Sequence, residues 1–174
     1  DRVDGASVLM SMFYAFKASG FWSEERESNL LDGAAHFYDT YECADKKFLA
    51  VGSIEPQFYS VLLEKLEIID PKFQDQHNKE LWPELKVIIA EKIKKKSRDE
   101  WANIFDGSDA CVAPVLSLSE APKHHHMKAR NSFIDVDGVI QPAPAPRFSD
   151  TTPQIRHSSV KAGENNEEIC SKYC

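Results

Sequence analysis

Glu55 is the residue of this chain whose type and place most need a chemical reason. It follows the apolar run Phe48-Leu49-Ala50-Val51 at a strand's exit and stands directly before Pro56. Proline opens a helix well, because it has no amide hydrogen to lose and its φ already suits the first turn. Glu55 is therefore the expected N-cap, a place where Ser, Thr, Asp or Asn is favoured. The longer Glu folds back poorly on the N2 and N3 amides. The helix dipole favours its ionised form, and a strand-to-helix corner is a rigid mount for an acid or base. A surface glutamate that merely offsets the dipole is the plainer alternative.

Other chemistry-bearing clusters are weaker. Successive residues of a helix point about 100° apart, so His124, His125 and His126 cannot converge on one metal from a regular helix. A solvent-facing helix end is expected there, and no metal site. The stretch "DVDG" at 135–138 looks like the start of a calcium loop, but no acid follows at the loop's twelfth position and strands flank it. No "GxSxG" elbow is present. Cys111 beside Asp109 has no histidine nearby in the sequence. Cys43, Cys111, Cys170 and Cys174 lack paired spacing and read as reduced thiols, although Cys170 and Cys174 could bridge or bind metal.

These residues need elements to hold them. Val8, Leu9, Met12, Phe13 and Phe16 recur at helical spacing over 3–17, apolar around most of the circumference, so a helix packed on several sides is expected, closed by Gly20. A connector over 21–35 leads to two strands at 36–43 and 48–54, paired as a hairpin whose turn lacks the usual glycine. Helices follow at 56–67, with Phe58, Val61, Leu62 and Leu66 inward, and at 83–95, with Leu85, Ile88, Ile89 and Ile93 inward. Ser97 and Glu100 form a capping box for a short helix with Trp101, Ile104 and Phe105 inside, stopped by Gly107. "CVAPVLS" reads as a short buried strand or extended segment, Ser117 and Glu120 as the cap of a helix through Lys128, and Asp137-Gly138 as a hairpin turn. Pro142, Pro144 and Pro146 force an extended arm, and 151–174 reads as a polar tail.

The chain has 174 residues, 42% of them hydrophobic, enough for a core. A formal charge of -7 argues against nucleic acid, which wants a basic face. The lysines at 92–96 suit a helix C-terminus instead. No apolar run approaches a membrane span. The chain opens without methionine directly into a helical pattern, as a segment cut from something longer would. The class is α+β: short antiparallel strands with several helices, and no glycine-rich phosphate loop.

The motifs "LLDGAAHFYDTYECAD", "FLAVGSIEPQFY", "WPEL", "FDGSDACVAPVLS" and "DGVIQPAPAPRFS" occur in this order. Over about residues 3–150 they closely resemble the C-terminal half of the α-methylacyl-CoA racemases, which belong to the family III CoA-transferases. "GENNEEI" at 163–169 resembles an altered form of the family's closing "GEHTEEI", with Asn165 where His is frequent. The family's "ADG" turn reads Ala44-Asp45-Lys46 here, so Lys46 must take a positive φ or change the turn.

The resemblance implies an interlocked homodimer in which each subunit has a large Rossmann-like domain and a small α+β domain. On that picture 1–35 is a linking helix and connector, 36–130 the small domain, 131–150 a hairpin and proline arm returning toward the large domain, and 151–174 a flexible tail. It implies interconversion of R and S 2-methylacyl-CoA thioesters in fatty-acid and bile-acid metabolism. No cofactor is implied, because the substrate carries its own CoA. The α-proton needs a base on one face and an acid on the other, with donors for the enolate oxygen. The resemblance implies a His assisted by a catalytic Glu on one side and an Asp on the other. The Glu falls at Glu55, and Tyr38 of "HFYD" falls near the acyl group as a substrate-binding residue. The His and Asp motifs belong to the upstream half, so this chain alone is expected to be inactive. Acyl-CoA is the implied partner, without membrane insertion. The implied compartment is the peroxisome or mitochondrion in a eukaryote and the cytoplasm in a bacterium, and "SKYC" is not an "SKL" address. Two alternatives stay open: CoA transfer by an upstream aspartate nucleophile, and a non-catalytic remnant that serves in dimerisation or binding.

Overall fold

The first apolar segment is two helices. In the computed structural model, which describes residues 1–155 and 157–173, α1 (Arg2–Leu9) and α2 (Ser11–Ala18) meet at Met10. Two hydroxyls bond back to the helix carbonyls around this point: Ser7 Oγ to Val3 O at 2.8 Å and Ser11 Oγ to Val8 O at 2.7 Å. Such bonds bend helices and weaken their continuation. The Met10 amide is correspondingly shared between the Ala6 and Ser7 carbonyls. The expected packing on several sides is absent, since neither helix has a buried residue. Phe13 is half-buried and meets Trp22 edge-on, with ring centroids 4.9 Å apart. Gly20 ends α2 at φ +75°, with the Phe21 amide reaching back to Phe16 O at 2.8 Å, as a C-terminal glycine should.

The chain forms two compact units, Asp1–Val115 and Leu116–Cys174. In the first, β1 (Tyr38–Glu42), β2 (Phe48–Gly52) and β3 (Val112–Pro114) make an antiparallel sheet with β2 central. Leu49 and Val51 alternate into the core from β2. The third strand is extended as expected, but it is an edge of half-exposed and exposed residues and lacks the burial its composition suggested. Helix α3 (Pro56–Lys65) buries Tyr59 and Leu62, with Leu66 at its C-cap. The spacing favoured Phe58 in place of Tyr59; the helix is turned toward Tyr59 because its hydroxyl meets a buried histidine. Helix α4 (Trp82–Ile93) buries Leu85, Ile89 and Ile93 as its period requires. The capping box of α5 (Arg98–Phe105) is formed in both directions, with Ser97 N to Glu100 Oε2 at 2.8 Å and Glu100 N to Ser97 Oγ at 3.3 Å.

In the second unit Ser117 and Glu120 make the same reciprocal bonds, at 2.9 and 3.3 Å. The helix they open is interrupted: a 3-10 turn covers Ala121–Lys123, His124 is extended, and α6 (His125–Ala129) follows. Strands β4 (Phe133–Val136) and β5 (Val139–Pro142) pair around Asp137 and Gly138, both at positive φ. The Asp135 carboxylate takes the Gly138 amide at 2.7 Å, so "DVDG" serves the turn. Helix α7 (Asn166–Tyr173) lies within the segment expected to be a tail, and has no buried residue. No helix among the described residues is long and apolar enough to cross a membrane.

The glycine-free hairpin turn resolves the choice left at Lys46, which adopts φ +61° and is exposed. A side chain in that region crowds its own backbone by about 1 kcal/mol relative to glycine. Lys46→Gly is therefore expected to raise the unfolding free energy by about that amount. Urea denaturation at neutral pH reads it out, and an unchanged or lowered midpoint would contradict the strain assigned to Lys46.

Candidate functional site

The corner between β2 and α3 is built from residues that leave one element without yet belonging to the next. After Gly52, the Ser53 amide donates to Phe37 O at 2.9 Å and the Ile54 amide turns back to Gly52 O at 3.0 Å. Ser53 is buried, and its hydroxyl donates to Ala110 O at 2.6 Å. Gln76, from the loop before α4, donates from one amide nitrogen to Ser53 O at 3.1 Å and to Ile54 O at 2.9 Å. Trp82 Nε1 in turn donates to Gln76 O at 2.8 Å.

On this support Glu55 is the N-cap, at φ −74° and ψ 142°, with its carbonyl taking the Tyr59 amide at 2.9 Å. Its side chain is exposed and makes no bond to the helix amides, as its length dictates. The carboxylate is thus carried at the positive end of α3 without being used as a cap. Its field reaches Cys111: burial first, then the charges of Glu55 and Asp109, push that thiol above its usual range. Cys111 is an exposed free thiol at φ +53°, and nothing near it favours the thiolate.

Tyr38 lies opposite Gly52 in the β1–β2 register. A methyl added to Gly52 would lie 3.8 Å from the Tyr38 ring and 3.7 Å from Cys111 O. Tyr38, Gly52 and Cys111 line an open cleft of about 470 Å³ with Leu31, Asp39 and Ala113. Glu55 is not part of that lining; it follows the exit of β2, three residues after Gly52. Tyr38 and Glu55, the two residues singled out in the sequence, are therefore brought to the same end of β2. Asp39 is neutralised by Lys86, which also donates to Gly33 O. The loop before β1 is tied by Asp32. Burial opposes its charge, but hydrogen bonds from Asn29 and from the amides of Ser28 and Ala34 outweigh that and hold the carboxyl below its usual range.

Three polar residues around the corner were not singled out by sequence patterning. His36 is fully buried, with Nε2 2.7 Å from the Tyr59 hydroxyl and Nδ1 without a partner. Its one sequence signal is a histidine set among apolar neighbours in "AAHFY". Desolvation, helped by His77, pushes its pKa down to about 4, so the imidazole is neutral at pH 7. Burial likewise pushes the Tyr59 phenol up. Gln76 lies in a loop with no periodicity, and no signal marks it. Among the described residues no three His, Cys, Asp or Glu side chains could hold a metal together. His125 and His126 are exposed on α6, and the His124 and His125 rings lie tilted with centroids 4.4 Å apart. Cys43, Cys111 and Cys170 are free, and the suggested Cys170–Cys174 pairing lies outside the described residues.

Comparison with known proteins adds the wider frame. The model of the CoA-transferase family III matches residues 3–166. The mouse protein named alpha-methylacyl-CoA racemase is 43% identical over 98% of this chain and 45% of its own length. The human protein of the same name is 39% identical over 99% of this chain and 46% of its own. The chain thus spans under half the length of the curated relatives it matches. Among solved structures, a CAIB/BAIF family protein from Brucella suis has a TM-score of 0.68 at 22% identity, over 95% of this chain and 45% of that one, which shows a shared fold.

Burial of a neutral His36 makes stability depend on pH. The unfolded imidazole takes up a proton below about pH 6.5, whereas the folded one does so only near pH 4. The His36 contribution is therefore constant above pH 7 and falls as the pH drops through that window, by a total of about 3 kcal/mol. Urea titrations across the window are expected to show this loss in the wild type and a shallower one in His36→Gln. Equal slopes would remove His36 as the cause.

Proposed function

The chain belongs to CoA-transferase family III, and on that premise we propose that it forms the C-terminal portion of an α-methylacyl-CoA racemase. The reaction breaks the C–H bond beside the thioester carbonyl, passes the proton to a base, and leaves an enolate. Reprotonation on the opposite face gives the other configuration, with no net redox change. In this reading Glu55 sits behind a histidine from the other half of the protein, keeping it basic as it takes the proton and stabilising the imidazolium it becomes. Tyr38, half-buried at the cleft, contacts the 2-methylacyl group. The subunit works as a homodimer on 2-methyl-branched acyl-CoA of fatty-acid and bile-acid metabolism, in a peroxisome or mitochondrion where the source is eukaryotic.

The observation that supports this best is the uncommitted carboxylate of Glu55. A residue that served the helix would be a short side chain bonded to the first amides. Glu55 makes no such bond, yet it is carried on a corner whose every flanking carbonyl is satisfied. That arrangement leaves a charged group free for a partner outside the chain.

The test is α-proton exchange of an (S)-2-methylacyl-CoA in deuterium oxide, followed by NMR. The 174-residue chain alone is expected to give no exchange above background. The subunit completed by its upstream half is expected to exchange and racemise. Glu55→Gln in that subunit should lower kcat roughly 100-fold with KM little changed. Enzyme-like exchange by the isolated chain, or full activity of Glu55→Gln, would refute the assignment. CoA transfer to a free acid without α-exchange would favour the transferase alternative.

A further inference from the structure

We infer that Gln76 is a positioning residue for the Glu55 carboxylate, a role that rests on the racemase reading above. The two peptide units before Glu55 lie past the last residue of β2 and before the first residue of α3. No backbone amide among the described residues takes the Ser53 or Ile54 carbonyl. The Gln76 side-chain nitrogen takes both, at 3.1 and 2.9 Å, using its two hydrogens on consecutive carbonyls. That fixes the rotation of the chain on each side of Ile54, and hence the direction in which Glu55 leaves the corner. Glu55 needs this external support because its own side chain does not bind the helix.

Gln76 is itself held. It is 7% exposed, and its backbone carbonyl accepts the indole N–H of Trp82, which is 3% exposed. Trp82 opens α4, so the clamp is anchored in the helix that carries Leu85, Ile89 and Ile93 into the core. The Ser53 hydroxyl adds to the support by donating to Ala110 O at 2.6 Å. A carboxylate that must be placed to within about 0.5 Å to hydrogen-bond a histidine from another part of the protein requires such a mount. A displacement of about 1 Å at a reacting group can lower a rate roughly 100-fold.

A double-mutant cycle in the completed subunit tests the inference, using Gln76→Leu, Glu55→Gln and both together. Gln76→Leu is expected to lower kcat at least tenfold with KM within about twofold, and to add nothing once Glu55 is already Gln. Hydrogen exchange on the same proteins gives a readout independent of turnover. The Tyr59 amide, bonded to Glu55 O, should lose protection about tenfold in Gln76→Leu, while that of Ile89 in α4 stays unchanged. Should Gln76→Leu fail to fold, Gln76→Asn keeps an amide too short to reach both carbonyls, and the same outcomes are expected of it. Effects of the two substitutions that multiply independently, an unchanged kcat, or undiminished protection at Tyr59 would each overturn the positioning role. Failure of the racemase reading is separate: it appears as an inactive wild type or a fully active Glu55→Gln, and the exchange measurement then decides on Gln76 alone.

Discussion

A chain that passes from a strand straight into a helix leaves carbonyls that neither element can use, and at this corner one belongs to the buried Ser53 and the next to the half-buried Ile54. An unpaired buried carbonyl costs on the order of 1–3 kcal/mol, so the fold must supply donors from elsewhere. Here the donors come from a single side chain, Gln76, and the adjoining hydroxyl of Ser53 reaches outward to Ala110. The geometry around the proposed site follows from that requirement. Trp82 must sit where its indole holds the Gln76 backbone, so the start of α4 is tied to the end of β2. Ala110 must lie against Ser53, so the segment leading into β3 is drawn to the same place, and Gly52 N completes the contact at Cys111 O.

The other end of the sheet is secured differently. The hairpin turn at Asp45 accepts the Arg98 amide at 3.2 Å, which joins it to the first turn of α5. Arg98 is buried, and its guanidinium is shared between Asp99 and the Val115 carbonyl at the end of β3. A charge removed from water needs partners of this kind. Both ends of the central strand are thus tied, the one near the half-buried Tyr38 and the exposed Glu55 through Ser53 and Gln76, the other through Asp45 and Arg98.

Much of this was legible from local chemistry. Pro56, the Ser97/Glu100 capping box, Gly20 and the Asp137-Gly138 turn act on their own neighbours, so the sequence pattern and the structure agree at each. The tension at Lys46 was legible too, as a missing glycine. What was not legible depends on contacts between distant segments. The inward turn of Tyr59 in place of Phe58 is set by His36, 23 residues away. Gln76 sits in a loop with neither periodicity nor turn signature, and its importance exists only once β2 and α3 are placed beside it. The first helix failed in the opposite sense. Its apolar stripe promised burial, but two serine hydroxyls broke its course and no element of the described unit covers it.

The choice of Glu at the N-cap separates stability from proposed function at one position. Ser, Thr, Asp or Asn at an N-cap stabilises a helix by typically about 1 kcal/mol relative to a residue that cannot bond. This corner forgoes that local gain, and the neighbouring carbonyls are satisfied by side chains drawn from two other segments. The cost of holding the carboxylate unbound is thus distributed over Gln76, Trp82 and Ser53, none of which needs to face solvent. A glutamate used only against the helix dipole would need none of this, because a carboxylate near the first turn is favourable in many orientations. The support is specific to direction, and direction matters only to a group that must meet another. On the reading proposed above, that other group is a histidine outside this chain.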